Sequence, residues 1–169
     1  SDHIPIGASR AVSRSTATSQ EYVQIDAHPR GVDALAFSAD GRWMASGGWD
    51  HTSTVYDLQT SGPPLRYKQH EDRVGAVTFS ADGQLVASAT GSGIGTKAGE
   101  IHVWDARTGE TRRKWLEHKA PIQFLQFIPN SNRLVSGAGG TTVGERACEI
   151  YLWDLTQAKP VGQITPKTN

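Results

Sequence analysis

The sequence predicts an all-β chain built from three copies of one four-stranded antiparallel unit. Three observations carry that reading. The chain aligns with itself in three places, short β-branched and aromatic runs alternate with turn residues, and no segment holds a 3.6-residue period over eleven or more positions. Each copy opens on a histidine: His28, His70 and His118. Four residues on stand Val32, Val74 and Ile122, nine on Phe37, Phe79 and Phe127, and eighteen on Ser46, Ser88 and Ser136. Each copy closes on an aromatic–Asp pair, Tyr56-Asp57, Trp104-Asp105 and Trp153-Asp154.

The elements follow in order within each copy. The first strand spans 32–37, 74–79 and 122–127, where β-branched and aromatic residues suit a pleated surface. Ser38-Ala39-Asp40-Gly41 and Ser80-Ala81-Asp82-Gly83 then supply the Asp-Gly that a tight turn favours, while the third copy uses Pro129-Asn130-Ser131-Asn132. Second strands are expected at 42–46, 84–88 and 133–136, followed by a Gly-rich connection and a third strand ending in the aromatic–Asp pair. Fourth strands fall at about 65–68, 111–115 and 161–164. Residues 21–25 look like an outermost strand placed before the first histidine. Residues 1–20, rich in Ser, Thr, Arg and Ala without an aromatic residue, read as a flexible arm or linker. The expected organisation is an arm over 1–20 and a repeat region over 21–169, with repeats at about 27–69, 70–117 and 118–166.

These residues resemble the WD-repeat β-propeller family, in a bacterial-type form, over about residues 21–166: His, then Phe (followed by Ser-x-Asp-Gly in the first two copies), then Ser (followed by Gly in the first and third), then an aromatic–Asp pair (Trp-Asp in the second and third), in register in all three copies. The resemblance implies four-stranded blades arranged around a channel. It also implies a hydrogen-bonded side-chain network within each blade. The first blade offers His28, Ser46, Asp50 and, in the Trp position, Tyr56, whose phenol is expected to donate where an indole would. The second offers His70, Ser88 and Trp104, with Ala98 where the Asp belongs. The third offers His118, Ser136 and Trp153, with Ala147 at that place. Two networks are therefore expected to lack a carboxylate. This structural reading is preferred to metal ligation or general-base chemistry for the histidines. Since propeller rings hold about four to eight blades, three form an incomplete ring or part of a larger propeller, and two apolar blade faces are expected to meet water. A segment of a larger propeller is favoured over self-assembly of copies or completion by a partner chain.

The balance of charge narrows function. Lys plus Arg and Asp plus Glu are 17 each, so a phosphate-binding surface driven by basic excess is not expected. One cysteine cannot form an internal disulfide, which fits the cytoplasm and leaves the periplasm open. No apolar run is long enough to span a membrane as a helix. The start at Ser1 reads as a processed chain or a piece of something longer.

Chemical motifs are sparse. Gly91, Gly93, Gly95 and Lys97 do not match a phosphate-binding loop, Cys148 lacks a nearby His or Cys, and no haem, zinc or hydrolase motif is present. No catalytic residue, cofactor or metal is expected. The second and third copies are longer than the first between Ser and Trp, which predicts two enlarged loops; the resemblance implies that both emerge on one ring face, as a recognition surface. Its candidate contacts are Trp49, Ser92, Ile94, Lys97, Thr141, Val143 and Arg146. The expected function is a non-catalytic scaffold that binds protein partners or further blades and helps assemble a larger complex, with homo-oligomerisation open. A regulatory or sensor module of a larger bacterial multidomain protein is the near alternative. A small-ligand or enzymatic propeller with a site at the channel mouth is the competing class.

Overall fold

The computed structural model describes residues 10–13, 22–25, 27–91, 98–142 and 145–164. Among these residues there are fourteen strands and no helix. β1 (Arg10–Ser13) and β2 (Tyr22–Ile25) pair antiparallel, so a strand lies within the segment read from sequence as an arm. The remaining strands form three four-stranded antiparallel meanders. The first sheet holds β3 (Val32–Phe37), β4 (Trp43–Gly48), β5 (Ser53–Asp57) and β6 (Leu65–Tyr67). The second holds β7 (Val74–Phe79), β8 (Leu85–Thr90), β9 (Ile101–Asp105) and β10 (Thr111–Trp115). The third holds β11 (Ile122–Phe127), β12 (Arg133–Thr142), β13 (Glu145–Asp154) and β14 (Gly162–Ile164). The three sheets do not close a ring.

The repeat extends to backbone irregularities. Each innermost strand carries a register shift just after its first residue, between Val32 and Ala34, Val74 and Ala76, and Ile122 and Phe124. Such a bulge bends the strand and increases its twist. The first turns of the two leading blades share one construction. Gly41 and Gly83 adopt φ of 67° and 66°, and the Asp40 and Asp82 carboxylates each accept from a serine hydroxyl and from a backbone N–H two residues on. In the third blade Asn130 takes the left-handed conformation instead, at φ 53°.

One feature departs from the sequence reading. The long stretch in the third blade is not a loop but a continuation of the β12–β13 hairpin, paired as far as Thr142 with Glu145. Thr141 and Arg146, expected on a recognition loop, are ladder partners. The run Thr141-Thr142-Val143 has the β-branched composition that sustains pairing.

Blades pack in sequence with their inner strands side by side, β7 against β3 and β4 and β11 against β7 and β8, while an aromatic from each outer strand reaches the next blade. Tyr67 on β6 stacks on Trp104 of the next blade, with centroids 4.7 Å apart and planes 3° apart. Trp115 on β10 meets Trp153 of the third blade at 4.9 Å. Val77 and Phe79 belong to the apolar cluster between the first and second blades, and Leu125 and Phe127 to the one between the second and third. The equivalent positions in the first blade have no such cover. Leu35 is 58% and Phe37 60% exposed, against 7% for Phe79 and 4% for Phe127. At the other end, Ile164 stands 65% exposed. Both outer faces therefore present apolar surface, as the three-blade count leads one to expect.

Candidate functional site

The blade networks are built from strand geometry. Side chains two apart share a face of a strand, so the serine of each second strand faces the aromatic of the third, and the histidine before each blade drops between them. In the third blade the Trp153 indole N–H donates to Ser136 Oγ at 2.7 Å, and Ser136 Oγ lies 2.6 Å from His118 Nε2. His118 Nδ1 is 3.0 Å from Glu149 Oε2, which also accepts from the Lys119 amide at 3.0 Å. An ionised carboxylate only accepts, so Nδ1 carries the proton and Nε2 receives the serine hydroxyl. The carboxylate missing at Ala147 thus comes from Glu149, two residues further along. This corrects the expectation that the third network lacks one. A chain Ala-x-Glu-x-x-x-Trp-Asp, present in both later copies, was the available signal.

The first blade keeps the expected donors in part. His28 Nδ1 donates to Asp50 Oδ1 at 2.7 Å, Nε2 meets Ser46 Oγ at 2.7 Å, and Thr52 Oγ1 donates to the same carboxylate at 2.8 Å. Burial raises the Asp50 pKa, but hydrogen bonds from Thr52 and His28 outweigh it and hold it below the ordinary value. Tyr56 does not join: its hydroxyl is buried without a hydrogen-bond partner. An indole carries its N–H on the flank of the ring near the main chain, whereas a phenol carries its O–H at the far tip. The tyrosine oxygen therefore misses Ser46, and the expectation that it replaces the indole is corrected.

The second blade differs again. Trp104 Nε1 donates to Ser88 Oγ at 3.0 Å and Ser88 Oγ is 2.7 Å from His70 Nε2. His70 Nδ1 has no partner although the residue is only 6% exposed. Glu100, at the position equivalent to Glu149, turns instead to His102 Nε2 at 3.0 Å. His102 stands where the other repeats have Thr54 and Tyr151, and sequence reasoning missed it. Its Nδ1 meets the Tyr67 hydroxyl at 2.9 Å, and that oxygen also meets Thr111 Oγ1 at 2.8 Å. The two imidazoles stack with centroids 4.2 Å apart. Burial first, then the charge of Lys114, lowers the His102 pKa to about 4. Burial also pushes His70 well below the ordinary value, with His102, Lys114 and His51 adding to it.

Of the candidate contact residues, Ser92, Ile94, Lys97 and Val143 lie outside the described residues, and Thr141 and Arg146 lie in the hairpin. Trp49 is 42% exposed but is already engaged. Its indole donates to Asp33 Oδ1 at 2.7 Å, and the Arg73 guanidinium sits over the ring at 4.4 Å while its Nε lies 3.5 Å from Asp33. The result is a fixed Trp–Arg–Asp plate across the seam of the first two blades. On another part of that seam, a cleft of about 410 Å³ is lined by Arg42, Trp43, Asp57 and Arg107 among others. Arg42 is paired with Asp57 at 2.8 Å and stacks on Trp43, so the cleft's one carboxylate is already engaged, and Arg107 also lies over the Trp43 ring. No helix among the described residues is long and apolar enough to cross a membrane.

Comparison with known proteins gives a consistent outcome. The family description "WD domain, G-beta repeat" matches residues 19–57 and 62–105. The target of rapamycin complex subunit LST8 of Mus musculus is 26% identical over 110 residues, which is 65% of this chain and 32% of that protein. The WD repeat-containing protein slp1 of Schizosaccharomyces pombe is 32% identical over 119 residues, 64% of this chain and 24% of the relative. The chain spans a third or less of the length of these relatives. They are eukaryotic, so the bacterial expectation receives no support from them.

Proposed function

From the premise that this chain belongs to the WD-repeat family, we propose that it is a non-catalytic interaction scaffold whose open blade faces are completed by other protein surfaces. WD-repeat proteins generally mediate protein–protein interactions, and one relative is by name a subunit of a complex. The observation that carries the reading is the contrast at equivalent positions. Leu35 and Phe37 stand open where Val77, Phe79, Leu125 and Phe127 are buried between blades. The surface has the chemistry of an internal blade interface without the blade. Burying two such side chains contributes about 1.5–3 kcal/mol each, which favours a covering sheet from the same polypeptide or from another chain. The Trp49–Arg73–Asp33 plate adds an aromatic and a guanidinium on rigid backbone, side chains that dominate protein interfaces.

Light scattering coupled to size exclusion tests this on the 169-residue chain and on a Leu35→Glu, Phe37→Glu double variant. The expected result is association of the parent, with itself or with added flanking blades, and its loss in the variant while the circular dichroism spectrum is retained. A parent that stays a well-behaved monomer and binds no added sheet refutes the proposal. The competing ligand-site reading has weaker support, because the one carboxylate lining the cleft, Asp57, is already paired with Arg42.

A further inference from the structure

We propose that the second blade holds a divalent transition-metal site of the zinc class, formed by His70, His102 and the Glu100 carboxylate. Each of the three offers a ligand atom, and these atoms all lie within 4.8 Å of one another. The independent pointer to a ligand is His70 Nδ1, a nitrogen in a side chain more than nine-tenths buried that meets no hydrogen-bond partner. In the first and third blades the same nitrogen is satisfied by Asp50 or Glu149. Leaving a buried polar atom unpaired carries its full desolvation penalty, so its survival here in a well-packed blade calls for a partner of another kind.

The donor set suits the metal. Two imidazoles and one carboxylate with a fourth position for water is a recurrent zinc arrangement, and the nitrogen and oxygen donors are borderline in softness. The surrounding shell is in place. Ser88 holds His70 Nε2 and is itself held by Trp104, Tyr67 holds His102 Nδ1 and reaches Thr111, and the Glu100 amide donates to Thr90 Oγ1. Hydrogen bonds to the far nitrogen of each ring fix tautomer and orientation, as metal-bound histidines require. Lys114 Nζ lies 3.6 Å from the Glu100 carboxylate on a half-exposed side chain. Zn–N and Zn–O bonds of about 2.0–2.2 Å set tetrahedral ligand atoms about 3.3 Å apart; His102 Nε2 and Glu100 Oε2 already stand 3.0 Å apart, so it is His70 Nδ1 that has to draw in. The two rings now stack within 18° of parallel, so shared coordination requires them to turn until both in-plane lone pairs face the ion. The metal would replace in this blade the carboxylate that Ala98 cannot provide.

The experiment uses the full 169-residue chain, stripped with chelator and titrated with Zn²⁺ by calorimetry, with Co²⁺ absorption reporting geometry and Tm reporting coupling to the fold. One Zn²⁺ per chain is expected, with a tetrahedral Co²⁺ spectrum and a raised Tm. Glu100→Gln and His102→Gln should each weaken binding at least tenfold and abolish the Tm shift. His51→Asn and Cys148→Ser should leave both unchanged. Glu100 lies nearest solvent of the three ligands, so Glu100→Gln keeps the test decisive if His102→Gln fails to fold. Absence of Zn²⁺ binding at micromolar concentration overturns the proposal. So does binding that persists in a folded Glu100→Gln chain, or that is lost in His51→Asn or Cys148→Ser.

Discussion

Glu149 is the residue on which the third blade's network turns. Replacing it with alanine removes an oxygen that accepts from two N–H groups at 3.0 Å, His118 Nδ1 and the Lys119 amide. His118 is 1% exposed, so water cannot take over as acceptor there, and its orphaned donor costs about 1–3 kcal/mol. The Lys119 amide belongs to an exposed residue and recovers part of its loss from solvent. Removal of a nearly buried carboxylate returns some desolvation energy. The net expectation is a loss of about 2–3 kcal/mol at neutral pH. With a urea m-value of about 1–3 kcal/mol/M, the midpoint should fall by about 0.7–3 M at unchanged slope. Glu149→Gln keeps an acceptor oxygen and should lose about half as much. Urea unfolding followed by tryptophan fluorescence and far-UV circular dichroism measures both variants, with Glu71→Gln on an exposed loop as the neutral control. A Glu149→Ala midpoint within about 0.5 kcal/mol of the parent would refute the assignment of Glu149 as the blade's carboxylate.

Three further outcomes are expected. Tyr56→Phe should be neutral or stabilise by up to about 1 kcal/mol, because it deletes a buried hydroxyl without a partner; a loss above 1 kcal/mol in the same assay would contradict this. Stability should fall as pH drops from about 6.5 toward 4. His70, His102 and His118 have depressed pKa values when folded, by burial above all, so the unfolded chain binds more protons in that window. His102 alone contributes about 3 kcal/mol from its shift to about 4, with Glu100, Lys114, Tyr67 and His70 facing it. Thermal melts across that range that stay flat would exclude the effect. Gly91→Ala should destabilise by about 1–3 kcal/mol or more, since a Cβ there collides with the Ile122 carbonyl across the seam of the second and third blades; an unshifted urea midpoint for that variant would show that the seam yields freely.

Most of the architecture was legible because the repeat imposes the same physics three times. The histidine, the Phe at the end of the first strand and the aromatic–Asp pair fixed strand positions closely, and the Asp-Gly turns behave as their composition predicts. What escaped was spatial equivalence that sequence columns do not express. A carboxylate can reach the equivalent imidazole nitrogen either from Asp50, in the turn before β5, or from Glu149, within β13. Tyr56 aligns with a tryptophan yet delivers its polar atom to a different point. The Gly-rich stretch after Ser136 was read as a loop because glycine dominates its start, while pairing across the hairpin overrode that preference. His102 carried no motif, and its importance arises only from the stack with His70 and the hydroxyl of Tyr67.

The unequal ends of the arc give it a polarity. Tyr67 and Trp115 are plugs that each blade inserts into its successor, and Ile164 is in the corresponding place with nothing to enter. Leu35 and Phe37 form the receiving wall, uncovered at the opposite end. A plug and a wall are complementary but not alike, so contact between equivalent surfaces across a two-fold axis satisfies neither. Only head-to-tail, heterologous joining matches them. Such joining has two geometric fates, a closed ring when the blade-to-blade rotation divides a full circle and an open filament when it does not. The angle set by the repeated bulges and seams of this arc chooses between them.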